Sequence, residues 1–544
     1  MMSGMNQVIV IQLATLATIG RVLGIMMLSI ILGWFLAYAS IKSKIFENIY
    51  IPTIAAMESV PVITFFPVVL IIFVYRIGGY LGTELAADFL VFTAVVWNIW
   101  VAQYQSFKTI PSDLLEVSEN YEFGFFKKLR HLYIPFSLPK IAANLFPSFA
   151  DALFYITVSE VFTVGTTSFH VFGIGYVLPT LIAEGKWNLV YIGLATLGVW
   201  VSALTLIFRF YSRYAVAKYG LDTMTPVRRR GRINLMRSSE RWNSLTGPMK
   251  RLSRFFVSIA KVPLPVRQPV SKRWERLRKS TKYLILSASA FILVLISWEI
   301  ASFVISIPLN YWSFLFFHTP LILYNLSIDY IRVAIIAVIS LVLSITLGYI
   351  LAIRQRIASF LLPIIQIISA FPAPIYFPIV FFLTYKYVFN SPIGTELYII
   401  FLGFISTFYY VFYSFWMGVQ AIPVEFWEIM NNYEMGFFTK MRKVILPATF
   451  PYLIAGLSST INSAWGGLMI GEYWPNIYDG QSLIAKAGLM KLLDIYTYEG
   501  RIGLAAWSSF VFAIIVVLFS VFFTTKMMSL AREKYIIEEG VFAA

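Results

Sequence analysis

Two stretches of this sequence place the same reactive and contact-making residues in the same order. Residues 110–139 and 422–451 each run Pro, four residues, Glu, a polar stretch, Tyr-Glu-x-Gly-Phe-Phe, Lys-x-Arg, then two prolines four apart. The first copy supplies Glu116, Tyr121, Glu122, Gly124, Phe125, Phe126, Lys128, Arg130 and Pro135. The second supplies Glu428, Tyr433, Glu434, Gly436, Phe437, Phe438, Lys440, Arg442 and Pro447. At a constant offset of 312, 13 of the 30 positions are identical. A loop that only sets topology needs basic residues in no particular order. An ordered set of aromatic and charged residues suits a protruding helix received by a groove on a partner. Two copies imply two grooves. Each segment reads as a short helix, a turn at Gly124 or Gly436, and a second amphipathic helix. In that second helix Phe125, Phe126 and Leu129 are expected on one side, with Lys127, Lys128 and Arg130 on others. Pro135 and Pro139 are expected to end it and re-aim the chain.

A second set of residues stands out because its surroundings are apolar. Glu58, Asp151, Glu160, Glu299 and Glu472 fall in or near long hydrophobic runs. A carboxylate inside a bilayer is costly and by default suggests function. Glu160 and Glu472 are repeat-related, each 44 residues after the motif Glu, and are candidates for a gate or for pore packing. Asp151, whose repeat mate is Ser463, and Glu58, just before Pro61, are further pore candidates. The alternative for each is a carboxylate paired with a neighbour inside a helix bundle. Glu299 has no repeat mate, which favours helix packing. Arg21 and Arg332 are expected to snorkel to an interface.

The elements that must position these residues are membrane helices. The chain has 544 residues, 59% hydrophobic and 13% charged. Soluble proteins carry about 25% charged residues. Near-continuous apolar runs, such as Val22 to Ala39 and Leu504 to Phe523, approach the ~20 residues that span a bilayer. Eleven spans are expected. Five lie near 15–39, 50–75, 87–107, 140–165 and 188–211; the others lie near 282–305, 327–352, 360–387, 397–419, 450–473 and 502–525. The fold is therefore all-α and polytopic, with two five-helix repeats in parallel orientation plus one extra helix. Its parts are a first repeat (1–212), a basic cytoplasmic linker (213–281), the extra helix (282–306), a second repeat (327–527) and a cytoplasmic tail (528–544). The extra helix restores parity, so both motif loops face the same side. Lysine and arginine bias makes that side cytoplasmic, with the N-terminus outside and the C-terminus inside. The first span carries no secretory cleavage pattern and is expected to be retained.

Charge and composition remove other functions. The net charge is +16, but residues 209–282 hold 20 Lys and Arg against three acids, a basic block that fits anionic lipid rather than nucleic acid. There are no cysteines, and the three histidines (His131, His170, His318) have no metal spacing. No metal or cofactor is expected. No G-x-x-x-x-G-K-[ST] phosphate loop occurs, so ATP hydrolysis is not expected in this chain.

The duplicated segments resemble the EAA loop of the permeases of ATP-binding-cassette (ABC) importers. That pattern is Glu-Ala-Ala, three residues, Gly, nine residues, a hydrophobic residue, two more and Pro. Glu116 and Glu428 match its Glu, and Pro135 and Pro447 its Pro. The alanines are replaced by Val117-Ser118 and Ile429-Met430, and the Gly position holds Glu122 or Glu434. Because glycine occurs two residues later, the turn is expected to have shifted by two. The resemblance covers 17–212 and 328–527, including Arg-Val at 21–22 and 332–333 and the Pro-x5-Pro pairs at 61/67 and 372/378. It is nearest to importers of nitrate, sulfonate, taurine or bicarbonate type. It implies a plasma-membrane permease that passes a small solute. Both loops would couple to separate ATPase subunits, two copies or a heterodimer, and an extracytoplasmic solute-binding protein would deliver the solute. Two other readings are open: a secondary transporter or channel with a parallel repeat, and a membrane enzyme, for which no catalytic grouping is found.

Overall fold

The computed structural model describes residues 6–219 and 308–535, except 165–166, 389–390, 392 and 479. The linker beyond residue 219, the expected extra helix at 282–306 with Glu299, and the last residues of the tail lie outside them, whereas residues 213–219, expected in the linker, are helical. Nearly everything described is helical. In the first repeat, α1 (Gln7–Lys42) is followed by α2 (Lys44–Ser59), α3 (Val62–Ile77), α4 (Gly79–Lys108) and α5 (Ser112–Asn120). Then come α6 (Phe125–Ser159), a hairpin of β1 (Val161–Val164) and β2 (Thr167–His170), α7 (Ile174–Ala183) and α8 (Trp187–Tyr219). The second repeat repeats that order. It has α9 (Leu309–Ile353), α10 (Arg356–Ala370), α11 (Ala373–Val388), α12 (Gly394–Gln420), α13 (Val424–Asn432) and α14 (Phe437–Glu472). A hairpin of β3 (Tyr473–Tyr478) and β4 (Gln481–Ile484), α15 (Leu489–Tyr498) and α16 (Ile502–Tyr535) complete it.

Among the described residues eight helices are long and apolar enough to cross a membrane, or ten if each bent pair is one span. The expected spans at 50–75 and 360–387 are those bent pairs. α2 and α3 meet at 101°, and α10 and α11 at 95°. The bends fall at Pro61 and Pro372, where the missing N–H and the restricted preceding residue stop a straight helix. The expected span 140–165 ends early, because the chain after Glu160 turns into β1. Both hairpins are antiparallel and follow the longest interior helix of their repeat. Alternation too short to stand out from an apolar run hid them.

Each repeat is completed by the other. Ile63 and Phe66 of α3 pack into the second repeat's core beside Trp465 and Phe512. Ala370 and Ile375 pack into the first repeat's core with Phe149 and Leu197. Thus α2 lies on α16 and, by the same operation, α10 lies on α8. β1 also packs against α15, so the two hairpin ends lie together and the two motif loops share the opposite end. The pairing is not fully symmetric. At the repeat interface Phe154 and Tyr155 of α6 face Gly466 of α14, where an added Cβ would sit 2.8 Å from the Tyr155 hydroxyl. The positions equivalent to these two aromatic residues are Gly466 and Gly467. A large residue on one side fills the space that glycine leaves on the other.

Candidate functional site

Three arrangements are built on this scaffold: the motif loops at one end, an ionic cluster at each hairpin end, and a cavity between the repeats.

In each loop a short helix ends in a reversal that feeds the next helix. Tyr121 N–H donates to Val117 O (3.1 Å) and Phe123 N–H to Ser118 O (3.0 Å), closing the end of α5. The left-handed residue that makes this closure is Glu122, at φ 48°, and Glu434 in the second copy, at φ 43°. The expected shift of the turn to Gly124 and Gly436 is therefore incorrect. Both glycines are extended, at φ −65° and −66°, and cap the following helix. The local hydrogen bonds hold a glutamate in the left-handed conformation, at a cost of about 1–2 kcal/mol. The prolines also behave otherwise than expected. Pro135 and Pro447 do not end the second loop helix. A wide turn with π-type bonds, Leu129–Tyr133 in one repeat and Met441–Ile445 in the other, carries the chain straight into the membrane helix. Such turns rearrange the ladder where proline removes a donor.

The two phenylalanines separate. Phe125 meets Tyr38 at 4.8 Å between ring centroids and Leu129 is buried beneath it, whereas Phe126 is 66% exposed. Residues four apart share a helix face and adjacent ones do not. In the second copy the split is weaker: Phe437 meets Tyr349, the repeat mate of Tyr38, at 5.5 Å but is itself 52% exposed, against 84% for Phe438. Tyr121 and Tyr433 stand exposed beside them, as do Glu116, Glu428 and Arg442. Lys128 pairs with Glu119 at 3.3 Å, and Lys440 donates to Asn431 at the same distance. One aromatic ring of each loop fixes it to the bundle and another is left free.

At the hairpin ends, Arg21 and Arg332 do not snorkel. Each is drawn inward into a carboxylate cluster. Arg21 holds Glu84 through two bonds (3.1 and 2.9 Å), Glu160 (3.2 Å) and the Phe172 carbonyl (2.8 Å). Glu160 also receives the Thr18 hydroxyl and the Gly175 N–H, both at 2.6 Å. Arg332 holds Glu396 (2.8 and 2.6 Å), Glu472 (2.9 Å) and Asp329 (3.0 Å). Asp329 occupies the place of Thr18. Thr18 accepts the Ile174 N–H at 2.9 Å, and Asp329 accepts the Leu489 N–H at 2.8 Å. The second cluster thus has one carboxylate more for the same single arginine. Glu160 and Glu472 are fully buried, each tying the end of its helix to the start of the short helix after the hairpin. Glycine is required there: a Cβ on Gly173 would lie 2.0 Å from Glu160 Oε1, and one on Gly488 2.1 Å from Glu472 Oε2. Glu84 and Glu396 sit at the repeat offset of 312 and could have been found from it. Asp329 could not, since its mate is a threonine.

Between the repeats lies a cavity of about 20 Å³, room for about one water. Asp151, Phe154 and Tyr155 of α6 line it, opposite Ser406 and Tyr409 of α12 and Ser463 of α14. Tyr409 donates its hydroxyl to Asp151 Oδ1 at 3.2 Å, and Tyr410 donates to the same oxygen. A second cavity, of about 400 Å³, lies toward the hairpin end, with Trp187, Pro374, Ile375 and Trp474 among its walls. Of the pore candidates, Asp151 lies at the repeat junction, and Glu58 is exposed at the end of α2.

Comparison with known proteins places this geometry in a family. Residues 29–219 and 344–532 each match the family described as "Binding-protein-dependent transport system inner membrane component". Among curated relatives, an aliphatic sulfonates transport permease protein of Bacillus subtilis (strain 168), SsuC, is 26% identical over 14% of this chain and 32% of its own length. A nitrate import permease protein of Leptolyngbya laminosa, NrtB, is 26% identical over 26% of this chain and 48% of its own length. The matches thus span about a third to a half of these relatives.

Proposed function

We propose, from the premise that the chain belongs to the family of binding-protein-dependent transport system inner membrane components, that it forms the whole translocation path of an ATP-driven importer. In this reading two permease repeats, fused in one chain, replace a permease dimer. The two motif loops dock into clefts of separate ATPase subunits, either two copies or a heterodimer. An extracytoplasmic binding protein presents the solute at the hairpin end. The membrane is the plasma membrane, with the loops and C-terminus cytoplasmic and the N-terminus outside.

The observation that carries the reading is the duplicated loop geometry. Each loop keeps one aromatic ring on the bundle and offers Phe126 or Phe438, with Tyr121 or Tyr433, to an absent groove. The loop is also continuous with α6 or α14. From Phe125 to Asp151 the helix rises ~39 Å, so a push on the loop is carried to the repeat junction along one continuous helix. Closure of an ATPase dimer would then move α6 and α14 against each other at the cavity.

The absence of cysteine makes a direct test available. Single cysteines introduced as Lys127→Cys and Thr439→Cys are crosslinked in native membranes and the captured partner is identified by mass spectrometry. An ATPase captured from both loops is the expected result. Capture from one loop would mean a degenerate second contact. If both cysteines react with reagent and neither captures an ATPase, with or without nucleotide, the importer reading fails and a secondary transporter with a parallel repeat replaces it.

A further inference from the structure

We propose that the path between the repeats selects cations, with Asp151 as its charge-selecting residue and a small protonated or quaternary amine as the solute class it suits. This deepens the permease reading and rests on it.

The carboxylate at the repeat junction differs from those at the hairpin ends. Glu84, Glu160, Asp329, Glu396 and Glu472 are each held by an arginine. Asp151 has no cationic partner among the described residues; it takes both of its tyrosine hydroxyls on Oδ1, and Oδ2 accepts no hydrogen bond there. A carboxylate at membrane depth is satisfied by counter-charge, and here the chain supplies none.

At the offset of 312 the mate of Asp151 is Ser463, and both line the central cavity. The cavity carries the Asp151 carboxylate from the first repeat, the hydroxyls of Ser369, Ser406, Tyr409 and Ser463 from the second, and no basic side chain among its lining residues. Aromatic rings complete it: Phe154, Tyr155, Phe371 and Tyr409 border Asp151. Carboxylates with aromatic faces attract cations, and amines and quaternary ammonium groups in particular. An oxyanion meets like charge here. The nitrate and sulfonate named for the two relatives would cross this junction against its field.

The test measures the field where the solute must pass. In the cysteine-free full chain, purified with its ATPase and returned to membranes, Ser463→Cys is treated with two methanethiosulfonates of similar size. One carries a trimethylammonium group and the other a sulfonate. Rates are normalised to those at an exposed position outside the motif loops, Lys186→Cys, and measured without nucleotide and with ATP. The expected result is a preference of about tenfold for the cationic reagent, the scale of one charge at close range. Asp151→Asn should reduce it several-fold. Ser406→Cys serves as a second reporter should Ser463→Cys fold poorly. A ratio near one, a preference for the anionic reagent, or no reaction with either reagent at both serines in either state overturns the proposal. A chain that captures an ATPase yet favours the anionic reagent remains a permease and loses only this selectivity. A chain that favours the cationic reagent but captures no ATPase keeps the selectivity and loses the coupling.

Discussion

Replacing the two hairpin-end arginines by methionine should separate two clusters that the sequence repeat presents as equals. Arg332 is 3% exposed and makes four bonds to three carboxylates, two of which, Asp329 and Glu472, are fully buried. Arg332→Met leaves two buried carboxylates without counter-charge, each keeping one backbone donor, the Leu489 or the Lys491 N–H. Breaking a buried ion pair from one side costs about 3–5 kcal/mol. The Arg21 side chain is 16% exposed and serves one fully buried carboxylate, Glu160, which keeps the Thr18 hydroxyl and the Gly175 N–H when the arginine is gone. Loss of charged hydrogen bonds with donors still in place costs about 1.5–3 kcal/mol. Arg332→Met should therefore lower the thermal unfolding midpoint in detergent more than Arg21→Met does, by several degrees at one scan rate. The scan rate must be fixed because unfolding of a chain this large is governed by rate as much as by equilibrium. The cause is separable. Asp329→Thr installs in the second cluster the residue type the first already has, and Asp329→Thr with Arg332→Met should recover part of the loss. An equal loss for both arginines, or no recovery in the double variant, would refute the charge count behind the prediction.

Other consequences follow from the same geometry. Phe126→Ala with Phe438→Ala should leave the unfolding midpoint unchanged, since both rings are largely exposed, yet abolish co-purification of the ATPase; loss of the midpoint instead would show that the rings serve the bundle. Glu122→Gly should raise the midpoint by up to about 1 kcal/mol in stability by relieving a left-handed glutamate, whereas Glu119→Gly, inside α5, should lower it by about the same amount. Gly488→Ala should destabilise strongly, because φ is +156° and the new methyl would meet Glu472 at 2.1 Å; an unfolding scan indistinguishable from wild type would mean that this approach is slack. Gly466→Phe, which copies Phe154 onto the other repeat, should overpack the junction by about 1–3 kcal/mol, read as a lower midpoint than Gly466→Ala gives.

What the sequence determined by itself is what repeats and hydropathy encode. Apolar length places most of the long helices, since a bilayer demands ~20 residues whatever the neighbours do. The constant offset locates both loops and, in Glu84 and Glu396, could have located half of the ionic framework. Tertiary structure decided the rest for identifiable reasons. Arg21 and Arg332 look like interface anchors in a sequence, because their glutamate partners are 63 to 140 residues away. Whether Phe125 or Phe126 turns inward depended on Tyr38, a residue of another helix. A glutamate keeps the turn that glycine would be expected to take, because hydrogen bonds closing α5 fix the left-handed residue by its place in the chain rather than by its type. Asp151 gains its meaning only when folding brings it to one cavity with Ser369 and Ser463, since the spacing of a repeat states which residues are equivalent and not which of them face each other.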